Sequence, residues 1–244
     1  MKTAVAAAFA GVALLASGCA GNSQAKVDDS ASAHPRPGAA DALVLRVRTS
    51  GGIAGLGGPG SLADFSLYGD GRAIVRGRPL TEYHLTPQAF QRLVSAASAA
   101  GLATPRTADN PNVSDAMYKV ITFVTGGRPR TTKIIQAGGD ADRAEQFLER
   151  LDPARWPRSD LTADPQPYRP ARLAALATSA DGAGPTWPFK PLSSGTHVGM
   201  QSCTVLTGAD VGKAERLTAR NTQWRDRGQT FRVTIRPLLP DEPG

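Results

Sequence analysis

Leu43-Val44-Leu45-Arg46-Val47-Arg48-Thr49-Ser50-Gly51-Gly52-Ile53-Ala54-Gly55-Leu56 is the stretch on which the reading of this chain turns. After Val44, as far as Arg48, apolar and charged residues alternate with period two, the pattern of a β-strand with one wet face. Six glycines then fall within residues 51–60, and no regular element survives that composition. A phosphate-cradling loop would need Lys-Ser/Thr and a helix after its last glycine. Here Ser61-Leu62-Ala63 leads into a further strand, so a nucleotide site is not read. What remains is a loop between two strands, with Gly51, Gly52, Ile53, Ala54, Gly55 and Leu56 as the candidate partner-binding segment.

Downstream, Ala63-Asp64-Phe65-Ser66-Leu67-Tyr68 alternates again. Gly69-Asp70-Gly71-Arg72 forms a tight turn and Ala73-Ile74-Val75 returns, which makes a β-hairpin. A helix is expected over residues 87–100. Thr86 stands at the N-cap, Pro87 at the first position and Gly101 just past the end, with Phe90, Leu93, Val94 and Ala97 as the apolar stripe. Residues 118–124 and 130–135 read as a strand pair around Gly126-Gly127. A second helix over 141–151 is capped by Asp140 and carries Ala144, Phe147, Leu148 and Leu151 inward.

Eight prolines lie in residues 153–191, read as extended chain held to the body by Trp156, Tyr168 and Trp187. Within it, residues 172–178 fit either a short strand or a helical turn. The last stretch reads as strand (203–206), capping-box-like Thr207-Gly208-Ala209-Asp210, helix to about Ala219, and strand (230–238). The expected fold class is α+β: an antiparallel sheet with two helices on one face, plus a small C-terminal β-α-β unit. The divisions are residues 1–18 as a signal peptide, 19–40 as a flexible tether, 41–152 as the α+β domain, 153–200 as the proline-rich segment and 201–244 as the C-terminal unit.

Working back to the amino terminus, Met1-Lys2 supplies a positive start. Ala4 to Leu15 is apolar or small throughout, and Ala16-Ser17-Gly18 precedes Cys19. The apolar stretch is too short to span a bilayer and has the layout of an export signal. Leu15-Ala16-Ser17-Gly18-Cys19 resembles a bacterial lipobox, whose cysteine takes a diacylglycerol and becomes the first residue. Ala16 stands where Leu is commonest. The resemblance implies a secreted lipoprotein held on the outer, extracytoplasmic face of the cell membrane through Cys19, with acyl chains such as palmitate as the anchor. Residues 19–40 are rich in Ala, Ser, Asp, Pro and Gly and lack any hydrophobic period, as a tether would be.

The formal charge is +7, and removal of residues 1–18 takes away Lys2 and no acid, leaving +6. That balance favours anionic membrane or envelope polymers. The basic residues are scattered and do not form a run with aromatics between them, so nucleic acid is not read as a partner. With Cys19 lipidated, Cys203 has no partner in the chain and reads as a buried strand cysteine. His34, His84 and His197 have no metal-ligand spacing around them, and no cofactor or metal is expected. Ser193-Ser194-Gly195-Thr196-His197 holds serine and histidine in a proline-flanked loop. There is no strand–Gly-x-Ser-x-Gly–helix elbow and no Ser-x-x-Lys on a helix start, so no catalytic residue is assigned and the chain is read as a non-enzyme. Asp64, Asp70 and Asp115 fall at turns and strand ends, where capping explains them.

Two family resemblances follow. Residues 43–151 resemble the emfourin family of small proteinaceous inhibitors of thermolysin-type metalloproteases. The likeness is carried by residues 47–56, a helix ending at Gly101-Leu102, the strand Tyr118-Lys119-Val120 and a helix ending Phe147-Leu148-Glu149-Arg150-Leu151. The chain departs from that family by the hairpin at Gly69-Asp70-Gly71 and by about ninety residues after Leu151. Over nearly its whole length it resembles actinobacterial lipoproteins of uncharacterised role, through residues 65–72 and Arg236-Pro237-Leu238-Leu239-Pro240-Asp241-Glu242. The expected role is a non-enzymatic binding module of the cell envelope whose partner is a protease or another envelope protein. One alternative is an inhibitor of a thermolysin-type metalloprotease, and another is a hydrolase or ligand-binding protein whose site is assembled by folding.

Overall fold

The computed structural model describes residues 39–51, 58, 61–108, 117–135 and 141–243. Cys19, the tether to residue 38, Asp140 as a helix cap, Asp115 and the segment Gly52 to Leu56 lie outside the described residues.

In chain order the elements are β1 (Leu43–Gly51), β2 (Phe65–Tyr68), β3 (Arg72–Val75), β4 (Thr81–His84), α1 (Pro87–Ala99), β5 (Arg106–Ala108), β6 (Met117–Thr125), β7 (Arg128–Ile135) and α2 (Ala141–Glu149). They continue with β8 (Gln166–Pro167), β9 (Arg172–Ser179), β10 (Thr196–Val198), β11 (Gln201–Thr207), α3 (Ala209–Thr218), β12 (Gln223–Asp226) and β13 (Gln229–Pro237).

The class is α+β, but the arrangement differs from the expected one. Two sheets stand where a single sheet and a small appended unit were anticipated. The first has eight strands in the order β5-β7-β6-β1-β2-β3-β4-β8, and its β5–β7 pair is parallel. The second has five antiparallel strands in the order β10-β11-β9-β13-β12. The difference comes from residues 172–179. They form β9, the central strand of the second sheet, flanked by β11 and β13. Leu173-Ala174-Ala175-Leu176-Ala177 is buried on both faces, so it shows a continuous apolar run with no alternation to mark it as a strand.

β1 is the hub of the first sheet, paired with β2 on one side and β6 on the other. Leu45 and Val47 face a core that also takes Phe65, Leu67, Ile121, Phe123 and Ile134. Into this core α1 buries Phe90, Val94 and Ala97, and α2 buries Ala144 and Phe147. The Thr86 hydroxyl accepts from the Ala89 N–H, and Gly101 sits past the end of α1 at φ +78°. The turn residue Gly71, at φ +87°, lies so close to the Leu85 carbonyl that a Cβ would stand 3.1 Å from its oxygen. Trp156 meets Phe65 and Tyr83 edge-on at 6.2 and 5.4 Å. The second core gathers Leu173, Trp187, Leu206, Trp224, Phe231 and Val233, with Trp187 edge-on to Trp224 at 5.3 Å. Thr207 does not complete a capping box: Gly208 holds the N-cap of α3 with no side-chain bond.

The opposite face of β1 carries Arg46 and Arg48, and there the chain that follows β13 is seated. Arg46 is 8% exposed. Its guanidinium donates to the Ser66 hydroxyl at 3.1 Å, to the Tyr68 hydroxyl at 3.3 Å and to Asp241 at 2.6 Å. Glu242 receives Arg48 at 3.1 Å, Arg236 at 2.7 Å and the Leu239 N–H at 2.9 Å. Arg172 of β9 donates to the Pro240 and Glu242 carbonyls, while the Tyr168 hydroxyl donates to that of Leu238 at 2.9 Å. Burial alone would raise the Glu242 carboxyl, but the bonds from Arg236 and the Leu239 N–H outweigh it and hold it below the usual range.

A carboxylate held below its ordinary range contributes stability at neutral pH that is lost as pH falls through its folded-state value. Acid therefore weakens this joint first in the range below pH 4.5, the group's reference value. Glu242→Gln should lower the unfolding free energy by about 2–4 kcal/mol, because two partly buried guanidiniums lose their shared anion. It should also flatten the acid limb of the stability–pH curve, measured by urea denaturation at a series of pH values.

Candidate functional site

The candidate loop leaves the first sheet at Gly51, which ends β1 at φ +90° and pairs with Met117. Only Gly51 of the six candidate residues is among those described. The loop's root is a charged cluster. Asp64 accepts from the Thr49 hydroxyl at 2.5 Å and from Lys119 and Arg76 at 3.2 Å each, and Lys119 also donates to Thr49 at 2.5 Å. The Asp64 N–H donates to the Val47 carbonyl at 2.8 Å, which fixes the returning chain against β1. Burial would raise the Asp64 carboxyl, yet Thr49, Lys119 and Arg76 together pull it below its usual range. Beside the root, Ser50 donates to the Tyr118 hydroxyl at 3.2 Å and Lys133 lies 3.9 Å from the centre of the Tyr118 ring. Met117 is 53% exposed there.

At the other end of β1 the chain enters through Asp41 and Ala42. Leu43 pairs with Tyr68, the Gly69 N–H donates to the Ala42 carbonyl at 2.9 Å, and Arg72 bridges Asp41 at 2.6 Å and Asp70 at 2.7 Å. β1 has nine residues, so the tether root and the loop root stand about 26 Å apart along one strand. At the entry end opens a cleft of about 760 Å³, lined by Asp41, Arg72, Glu82, Tyr168, Arg169 and Arg172 together with Leu238 to Pro240. Burial and the nearby Glu82 charge push the Tyr168 hydroxyl up to about 12. Glu82 is engaged by His84 at 2.9 Å. The polar groups of this cleft hold one another in place, an arrangement suited to recognising a polar ligand.

The remaining candidates are scattered. Cys203 of β11 is half-buried, not buried as expected. It faces a smaller cleft of about 330 Å³ with Leu176, Val198 and Val205 against the tail. Burial pushes its thiol up, which disfavours the thiolate. His197 is on β10 opposite Ser202, and Ser193 donates its N–H to Asp226. Among the described residues, no group of three or more His, Cys, Asp or Glu stands together as metal ligands, and no helix is long and apolar enough to cross a membrane. Sequence reasoning passed over the joint of Arg46, Arg48, Asp241 and Glu242. Its signal was arginine at alternate positions of β1, at 46 and 48, with an acidic pair after Leu238-Leu239-Pro240. Comparison with known proteins adds no neighbour: no family model, curated protein or solved structure matches the chain.

Asp64→Asn should leave the second sheet intact and loosen the root of the loop. The expected cost is about 1–2 kcal/mol, from hydrogen bonds to a charged acceptor. Hydrogen exchange should accelerate at Thr49, Ser50 and Gly51 while β9 and β13 remain protected.

Proposed function

We propose that this chain is a lipid-anchored protein of the cell envelope whose folded body is a non-enzymatic binding module. The observation that carries the reading is Leu15-Ala16-Ser17-Gly18-Cys19 behind a charged start and a short apolar run. Residues 19–40, as a tether, lead from that cysteine to the entry end of β1. Thr49 and Asp64, which flank the candidate segment, are bonded to each other at the opposite end of the same strand. The charge cluster of Thr49, Asp64, Lys119 and Arg76 holds the loop's two roots together, and a fixed root lowers the ordering cost of binding through a loop.

That fixed root also favours a second reading, in which residues 51–56 enter the cleft of a thermolysin-type metalloprotease. Inhibition of purified thermolysin by the chain should then be lost in Ile53→Asp with the melting temperature unchanged. Equal inhibition by wild type and variant rules the loop out.

The anchor is tested in the cell. Cys19→Ala should abolish incorporation of labelled palmitate and leave the signal uncleaved. Wild-type chain that matures without any acyl label would overturn the reading.

A further inference from the structure

The seam between α1 and α2 is a groove with no residue of the C-terminal tail in its lining. Two clefts of about 490 and 750 Å³ adjoin along both helices and share Arg92, Ala96, Gln146 and Arg150 in their walls. Its floor is small: Ala96, Ala99 and Ala100 of the first helix and its end, with Phe147 below. Trp156 closes one end, its indole N–H donating to the Arg150 carbonyl at 2.9 Å. Alanines along a helix leave depth between the ridges on either side, which is the shape another helix packs into.

The walls are cationic. Arg92 and Arg155 are held by Asp160 at 2.5 Å and by Glu149 at 2.9 Å. Arg143 and Arg150 have no carboxylate within ion-pair reach among the described residues, and both are exposed. Spacings of three and four along α2 and the turn that ends it put Arg143, Gln146 and Arg150 on one face. These two guanidiniums, of Arg143 and Arg150, are seven residues apart, about 10.5 Å along the axis.

We propose that this seam is a docking groove for an acidic amphipathic helix of a protein partner. Two of its carboxylates, two turns apart, pair with Arg143 and Arg150, while small side chains between them lie on the alanine floor. This is the helix-in-groove mode of recognition. The proposal rests on the reading of the chain as a binding module, and it does not depend on the lipid or on the loop.

The test uses the full-length chain in mild detergent and a labelled designed helical peptide carrying two glutamates seven residues apart over an alanine face. Binding is followed by fluorescence anisotropy. The wild-type chain should bind this peptide more tightly than a scrambled version that scatters the glutamates around the helix. Arg143→Glu/Arg150→Glu should weaken binding about tenfold or more, and a peptide with lysines in place of the glutamates should regain it. Ala99→Trp, at an exposed position, should block the groove without reversing charge. Equal affinity for the scrambled peptide, or undiminished binding by the doubly reversed chain with its melting temperature unchanged, overturns the proposal. Because palmitate labelling of Cys19 is a separate readout, failure of the groove and failure of the anchoring are told apart.

Discussion

An arginine taken out of water must be met by an anion and by hydrogen-bond acceptors, or the fold that buries it is lost. Arg46 imposes that condition at the centre of the first sheet. Two neighbours on β2, Ser66 and Tyr68, give it oxygens, and Asp241 gives it charge. The carboxylate arrives on the chain that follows β13, so satisfying Arg46 seats that segment against β1. Glu242 repeats the bond one residue on, between Arg48 of one sheet and Arg236 of the other. The relation of the two sheets thus follows from two acidic residues in succession. The clefts on either side of the tail are what the seated segment leaves open.

The first sheet was largely legible because its leading strands alternate apolar with polar side chains, even where both faces are covered. Residues 43–48 and 63–68 alternate, and alternation is readable without any knowledge of partners. Thr86-Pro87 and Gly101 bracket α1 by local backbone chemistry alone. The second sheet was legible only in part: residues 203–206 and 230–238 read as strands, but the strands beside them did not stand out. β9 is covered on both sides and shows only an apolar run, while β12 offers Gln-Trp-Arg-Asp, in which Trp224 alone is buried. The three residues of β5 carry too little pattern to be seen. Thr207 looked like a cap, but Gly208 at φ +59° turns the chain so that the glycine itself takes that position.

The candidate site was legible in part. Glycine density pointed to the loop, whereas its root is made by residues that are ordinary in sequence. Asp64 reads as a turn residue until folding sets Thr49, Lys119 and Arg76 around it. The same holds for Arg72, unremarkable after a turn, which in the structure links the tether root to the β2–β3 hairpin through Asp41 and Asp70. The entry cleft and the helix seam have no lining residue in common.

The pairing of Arg46 with Asp241 spans 195 positions of chain. At ordinary rates of synthesis roughly 10–40 s pass between the two residues. During that interval the first sheet can assemble around the hydroxyls of Ser66 and Tyr68, both within the next 22 residues, but its central cation lacks its counter-charge. Closure is therefore a late, long-range step in folding, of the kind that high contact order makes slow. A chain interrupted before Asp241 would carry an unneutralised arginine in its interior and would be marked for removal by its own instability.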